Sequence, residues 1–543
     1  MAFNGYSPRG NDILGPSSDI GDDGVPYMTL SYTNGPGYRP HRDYERVDVT
    51  REDYRKVLVV PRAGRRPLAS ETHGGDDVAV FARGPQQQLF TGCTSRASCR
   101  TSWRTPPAWG PPPHSAPPAA ITAPASGRLL IADSACSATA YLCGAKGNRG
   151  TVGVSARVRR GDCGAAPAEH HVHSIAAWAL ADGRDVGIVT TTRVTHASPA
   201  GAYAHTAARD WESDADLLAD CGHADPAARQ ADIAMQLMNS YPGNNFKVIL
   251  GGGRREFRPN TTIDEEGASG RRLDGRDLIE EWRARRAAAG VSHAYVWNRT
   301  ELLRAAEDPP EYLLGLFEAS HMRYEAEARA AGADEPTLAE MTEAAIRVLS
   351  RNPRGFFLFV EGGRIDHAHH DSFPRLALLE TIALSDAVER ADTLLPRDRA
   401  LLVLTADHAH VMAFNGYSPR GNDILGPSSD IGDDGVPYMT LSYTNGPGYR
   451  PHRDYERVDV TREDYQSLWF RAPAAVPLAS ETHGGDDVAV FARGPQQQLF
   501  TGCTSRASCR TSWRTPPAWA RRRTPRRLPP SPPRTSGRLL FLS

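Results

Sequence analysis

The chain has 543 residues, 40% of them hydrophobic, which is enough for packed globular structure and more than one small core needs. With 63 basic and 64 acidic residues the formal net charge is −1, so no global field draws the chain to nucleic acid or an anionic membrane. Eight cysteines are too few for a disulfide-dense scaffold of this length, and no run of about 18 apolar residues marks a membrane-spanning helix.

The opening MAFNGYSPRG lacks the basic-then-apolar order of a secretory signal, and SGRLLFLS at 536–543 is too short for the tail of a lipid-anchor signal. Residues 1–54 recur unchanged at 412–465, and residues 67–109 at 477–519. Between them lie unrelated stretches, RKVLVVPRAGRR at 55–66 and QSLWFRAPAAV at 466–476. Evolved repeats drift everywhere; perfect copies broken by unrelated pieces are the pattern of a recent duplication, or of an assembly error, read through frameshifts. Copies this far apart also exclude a solenoid, which needs short adjacent units. Residues 103–127 and 511–537 are rich in Pro, Arg, Ser and Ala without hydrophobic periodicity, which predicts disorder. The expected plan is therefore a duplicated, non-domain segment at 1–127, one α/β domain at 128–502 and a disordered tail at 503–543.

In chain order, ADSACSATAYLCG (132–144) predicts a helix with Ser134 at its start, near the positive end of the dipole where phosphate binds well. From this segment alone, a simple capping serine is the better reading. DVGIVTT (185–191), FKVIL (246–250), GFFLFV (355–360) and ALLVLT (400–405) are short apolar runs suited to parallel strands buried on both faces. GGGR (251–254) lacks the phosphate-loop pattern and reads as a structural turn. Residues 372–395 carry apolar residues at helical spacing, with capping oxygens offered by Asp371 and Ser372.

Polar clusters follow three of these strands: TRVTHASPAGAYAH (192–205), EGGRIDHAHH (361–370) and ADHAH (406–410). In open α/β sheets, sites form outside the carboxyl ends of strands, so these loops converge. Mixed imidazole and carboxylate donors suit zinc, and oxygen donors suit magnesium. Asp366 and His370 are one helical turn apart and share a face, whereas adjacent Asp407 and His408 need an extended or turn backbone to share an ion. A single such pair is weak evidence; three clusters after three strands point to metal. His410 reads as packing or support for a ligand.

DSACSATAYLCGAKGN (133–148), TTTRVTHASPAGAYAHTAARDW (190–211), VILGGGR (248–254), YVWNRTEL (295–302), RNPRGFFLFVEGGRIDHAHH (351–370), LTADHAHV (404–411) and ETHGGDDVAVFARGPQ (481–496) together resemble the vertebrate alkaline phosphatases of the tissue-restricted, intestinal or placental kind, in the family's order. The resemblance spans about 131–502 and implies a central, mostly parallel sheet between helices, a three-layer α/β sandwich. It implies phosphate monoester hydrolysis through a phosphoserine at Ser134, with two zinc ions and one magnesium. Asp366, His370 and His483 match the first zinc's ligands. Asp407 and His408 match the second's, which also meets Ser134. Ser198 and Glu361 match magnesium ligands. Arg209 matches the phosphate-gripping arginine, oriented by Asp133, and His196 and His367 fall beside the metals. Glu318, the Phe317 carbonyl and Glu335 resemble calcium ligands, with Glu265 as the fourth. The resemblance further implies a homodimer without nucleic acid, a secreted or cell-surface location, and glycosylation at Asn298.

Two departures qualify it. The family's first strand ends in Asp-Gly-Met-Gly, whose aspartate bridges the second zinc and magnesium; that motif occurs nowhere in these 543 residues. The expectation is a lost central strand and weak or absent turnover. Cys163 sits at a family disulfide position, but the partner position holds Gln230 and Cys221 lies nine residues earlier, which makes the bond doubtful. Of the two histidines in duplicated ETHGG segments, His483 and not His73 is expected at the first zinc, because a shorter ordered connection gives the higher effective concentration.

Overall fold

The computed structural model describes residues 2–3, 16–31, 46, 131–164, 166–222, 230–451, 456–500 and 538–542. Its centre is an eight-stranded sheet. In chain order the strands are β1 (Asp185–Arg193), β2 (Val248–Gly252), β3 (His293–Val296), β4 (Tyr312–Leu316), β5 (Phe356–Glu361), β6 (Ala400–Thr405), β7 (Val490–Arg493) and β8 (Arg538–Leu542). Their order across the sheet is β7-β6-β8-β5-β1-β2-β4-β3, all parallel except β7, which runs antiparallel to β6. This is the α/β class expected, with the four anticipated strands among them.

Both faces are covered. In β5, Phe357 and Phe359 join the core beneath α1 (Ser134–Cys143) and α2 (Ile175–Ala181). The intervening Leu358 and Val360 join the core beneath α3 (Leu338–Leu349) and the later part of α5 (Pro374–Leu394). This is the two-residue alternation of a strand buried on both sides, and it explains why the sequence showed an unbroken apolar run. Between β5 and α5 lies α4 (Arg364–His370).

Three expectations need correction. First, β8 comes from the tail expected to be disordered. It pairs in parallel with β5 on one side and β6 on the other, so no strand position between them stands vacant and the domain does not end at 502. Four apolar residues after Arg538, set between two apolar edges, gain more from burial than so short a run shows in isolation. Residues 501–537 lie outside the described residues. Second, Asp371 and Ser372 do not cap α5, which begins with proline at its first turn and has no side-chain cap; Asp371 closes α4 instead. Third, Cys163 and Cys221 are disulfide-bonded, while Gln230 occupies the neighbouring space and donates to the Gly164 carbonyl at 2.6 Å.

The second copy of the repeat docks beside the sheet. Met412–Phe414, Leu441–Gly446 and Ala474–Pro477 form a three-stranded sheet. The described part of the first copy includes the hairpin Pro16–Ile20 with Pro26–Met28, which pairs in the same register as Pro427–Ile431 with Pro437–Met439. The first copy also has a neighbour there: the Asp22 N–H donates to the Pro477 carbonyl at 2.9 Å. As expected, GGGR is structural. Gly253 takes a positive φ of 96°, and Arg254 is wholly buried against Asp264 and Glu266.

Candidate metal and phosphate site

The polar residues gather at the carboxyl edge of β1, β5 and β6. Asp133 caps α1, its Oδ1 accepting from the Cys136 and Gly150 N–H groups, and its Oδ2 meets Arg209 Nη1 at 3.2 Å. Burial opposes the Asp133 charge, but Arg209 and these hydrogen bonds hold its carboxyl below the usual range. Ser134 is thus the first helical residue and not the cap. It is buried, and its Oγ lies 2.9 Å from His408 Nε2.

Around Asp366 Oδ1 stand His410 Nε2 at 2.9 Å, His483 Nε2 at 3.3 Å, His370 Nε2 at 3.4 Å and His408 Nε2 at 3.8 Å. The helical turn read from the sequence is α4, and it does place Asp366 and His370 on one side. His370 Nδ1 donates to the Glu481 carbonyl, and His483 Nδ1 donates to the Ala132 carbonyl at 3.0 Å. Each ring therefore turns its Nε2 inward, and the two Nε2 atoms face each other at 3.1 Å. Two imidazole nitrogens and a carboxylate oxygen thus converge on one point. That donor set fits zinc, and the outward Nδ1–H bonds are the support such ligands take. His73 lies outside the described residues.

Asp407 Oδ2 is 3.1 Å from His408 Nε2, and the His408 ring stacks on His483 at 3.4 Å. Glu361, the last residue of β5, accepts from Thr190 Oγ1 at 2.5 Å and Thr192 Oγ1 at 3.2 Å, with Ser198 also bonded to it. Burial, with the Asp407 charge adding, pushes the Glu361 carboxyl up to about 7 despite those bonds. Such a carboxylate and hydroxyl set suits magnesium.

Two residues beyond the sequence reading complete the site. Glu481 is buried; it accepts from the Val411 N–H at 2.7 Å and reaches His410 Nδ1 at 2.7 Å. Burial disfavours a charged His410, but Glu481 and Asp366 on either side override it and push its pKa up to about 10. His321 joins His196 and His367 in a cluster of close imidazoles. Arg209 Nη2 lies 3.1 Å from His196 Nε2, and Arg193 Nη1 lies 2.6 Å from His321 Nε2. Burial and these arginines hold His196 and His321 neutral. Burial also depresses His367, to about 3, with Asp366 opposing and Arg364 adding. His321 stands in a loop without a recognisable motif, so only the fold reveals it.

Away from this edge, Glu318 and Glu335 both approach Arg323 Nε, at 3.1 and 3.3 Å. Burial and the Glu318 charge push Glu335 up to about 8. Glu265 does not join them, which corrects the expectation. It turns to Arg258, 2.7 Å from Nη2, while the next residue, Glu266, feels the Glu318 charge. Asp264 Oδ1 ties the Glu266 and Ala268 N–H groups into a tight turn, which sends adjacent side chains apart.

Residues 1–102 and 119–512 match the family profile described as alkaline phosphatase. The membrane-bound alkaline phosphatase of Bombyx mori is 58% identical over 374 residues, 68% of this chain and 67% of that one. The tissue-nonspecific alkaline phosphatase of Gallus gallus is 49% identical over 381 residues, 68% of this chain and 71% of that one. The crystal structure of the Thermus thermophilus alkaline phosphatase superposes with a TM-score of 0.42 at 29% identity, covering 54% of this chain and about half, 51%, of that one. On the extent of the profile match and these identities, the chain belongs to the alkaline phosphatase family.

Proposed function

We propose that this chain binds phosphate monoesters and transfers the phosphoryl group to Ser134, at a site built for two zinc ions and one magnesium. The observation that carries the reading is Ser134 Oγ at the start of α1, 2.9 Å from His408, with the facing Nε2 atoms of His370 and His483 in the same cluster. Asp366, His370 and His483 would hold one zinc, Asp407 and His408 the other, and Ser198 and Glu361 the magnesium. These ions supply charge neutralisation and a lowered hydroxyl pKa. The chain supplies the rest. Arg209, pinned by Asp133, offers a forked pair of N–H donors to two phosphate oxygens. The α1 amino end adds backbone dipole at the phosphate. His408 Nε2, 2.9 Å from Ser134 Oγ, would hold its ion beside the serine oxygen.

The missing Asp-Gly-Met-Gly motif favours a second aspect of this reading: turnover is weak, because one family ligand shared between two ions has no counterpart among the described residues. Glu318, Glu335 and the Phe317 carbonyl would hold a calcium ion, the two carboxylates converging beside Arg323. A homodimer at the cell surface follows the family.

The test is phosphoserine trapping. The zinc- and magnesium-loaded chain is mixed with a labelled aryl phosphate and quenched in acid. We expect label on the chain, slow release of phenol at alkaline pH, and neither in Ser134→Ala. Label retained in Ser134→Ala would refute the assignment, and fast turnover by the parent would refute the claim of impairment.

A further inference from the structure

β8 stands apart from every other strand of the sheet. β5 and β6 follow one another through α5, yet they do not pair; residues 538–542 lie between them. In sequence, 37 residues (501–537) separate β8 from the last described residue of the preceding stretch, Phe500. The fit is close nonetheless. Leu539 to Leu542 pair with Phe357 to Val360, and Arg538 to Leu542 pair with Ala400 to Leu404. Leu540 is wholly buried on the α3 face and Phe541 is 2% exposed on the α1 face. The Phe541 ring stacks on Tyr141 of α1 at 5.0 Å and on Phe359 of β5 at 5.9 Å.

This placement joins three groups of the site. α1 begins with Ser134, β5 ends with Glu361, and the loop after β6 carries Asp407. Neighbouring strands are about 4.8 Å apart, so β5 and β6 are held about two spacings apart by the strand between them. Without it, their facing N–H and C=O groups either pair directly, moving Glu361 and Asp407 together by about one spacing, or stay open. Either change exceeds the few tenths of an ångström that zinc–ligand distances tolerate.

We propose that the cleft between β5 and β6 is an acceptor for a parallel apolar strand, that residues 538–542 of this chain are its occupant, docking as a separable element, and that this docking sets the spacing of the metal edge. The last clause rests on the metal reading above; the docking itself does not. Leu540 and Phe541 are thereby positioning residues, acting through β5, β6 and α1. The mode is strand addition, with backbone bonds giving register and alternating side chains giving selectivity.

The test uses the full chain with Leu540→Asp, compared with the parent. Amide hydrogen exchange is read on β1, β5 and β6, and zinc per chain is read by elemental analysis. We expect exchange in β5 and β6 to rise at least tenfold in the variant while β1 stays protected, and zinc per chain to fall by at least half. A synthetic peptide, Ser-Gly-Arg-Leu-Leu-Phe-Leu, added in excess should bind the variant and restore both; a scrambled peptide should not. Unchanged β5 and β6 protection in the variant, or failure of the peptide to restore it, overturns the proposal. To guard against global unfolding of the variant, a specific protease site is placed between Ala520 and Arg521 in the otherwise unaltered chain. After cleavage, the released piece should stay bound through gel filtration and exchange with labelled peptide; its loss on the column overturns the proposal equally. A parent that protects β5 and β6 but binds no zinc sinks the metal reading and leaves strand docking standing.

Discussion

Glu380 sits in α5 with 2% exposure, and its Oε1 accepts from the Glu325 N–H at 2.7 Å. Burial raises its pKa from 4.5 to about 7, with Arg364 opposing and the Glu325 charge adding. The folded chain thus keeps this proton up to about pH 7, whereas the unfolded chain loses it near 4.5, so the group's contribution falls as pH rises between these values. The linkage amounts to about 3 kcal/mol over that window. We expect Glu380→Gln, which keeps the acceptor, to flatten the fall in urea-unfolding free energy between pH 5 and pH 8; an unchanged slope would contradict this. No sequence pattern announced Glu380, because a glutamate on a helix is ordinarily solvated. The Asp366–His370 pair was legible for the opposite reason, since four-residue spacing on a helix fixes which side chains share a face. Glu481 was hidden because its role depends on a contact with the Val411 N–H, 70 residues away in sequence.

At the scale of elements, the Cys163–Cys221 bond closes a separation of 58 residues and ties the loop before α2 to the end of the helix Asp214–Cys221. Constraint of the unfolded chain by such a loop is worth about 2–4 kcal/mol. Cys221→Ser should lower the denaturation midpoint correspondingly, measured under non-reducing conditions, with zinc content unchanged. The family pattern pointed to position 230 and missed this partner, because a helix end nine residues earlier reaches the same place. Strands β1, β2, β5 and β6 were legible from apolar runs bounded by polar clusters. β8 was not, because four apolar residues after a Pro- and Arg-rich stretch carry no periodicity of their own; only the facing edges of β5 and β6 give them a structure. The repeated hairpin shows the converse case. Arg46 holds Asp23 and the Pro26 carbonyl in the first copy as Arg457 holds Asp434 and the Pro437 carbonyl in the second, so local sequence suffices there.

For the whole molecule, the convergence of His370, His483 and Asp366 on one point couples metal binding to folding. A ligand that binds only the folded state stabilises it by about 2.7 kcal/mol at a hundred times its Kd. Zinc should therefore raise the thermal midpoint in a concentration-dependent way, and a chelator should reverse the gain. Magnesium alone should do less, since it prefers oxygen donors. A midpoint indifferent to zinc would contradict the site's donor arrangement. The resemblance to the family fixed the fold class and the order of the site loops, while the way this chain closes its sheet required the coordinates.

That closure has a consequence for how the molecule is made. Translation passes Thr405, the end of β6, 137 residues before it reaches Leu542, the end of β8. At ~5–20 residues per second the ribosome needs roughly 7–27 s to cover that distance. Throughout this interval the nascent chain carries two apolar strand edges with nothing between them, and segments of neighbouring nascent chains on the same message are the nearest competitors for the gap. Yield of this protein in cells should accordingly depend on holdase chaperones and on the speed with which residues 406–542 are synthesised, far more than the finished sheet would suggest.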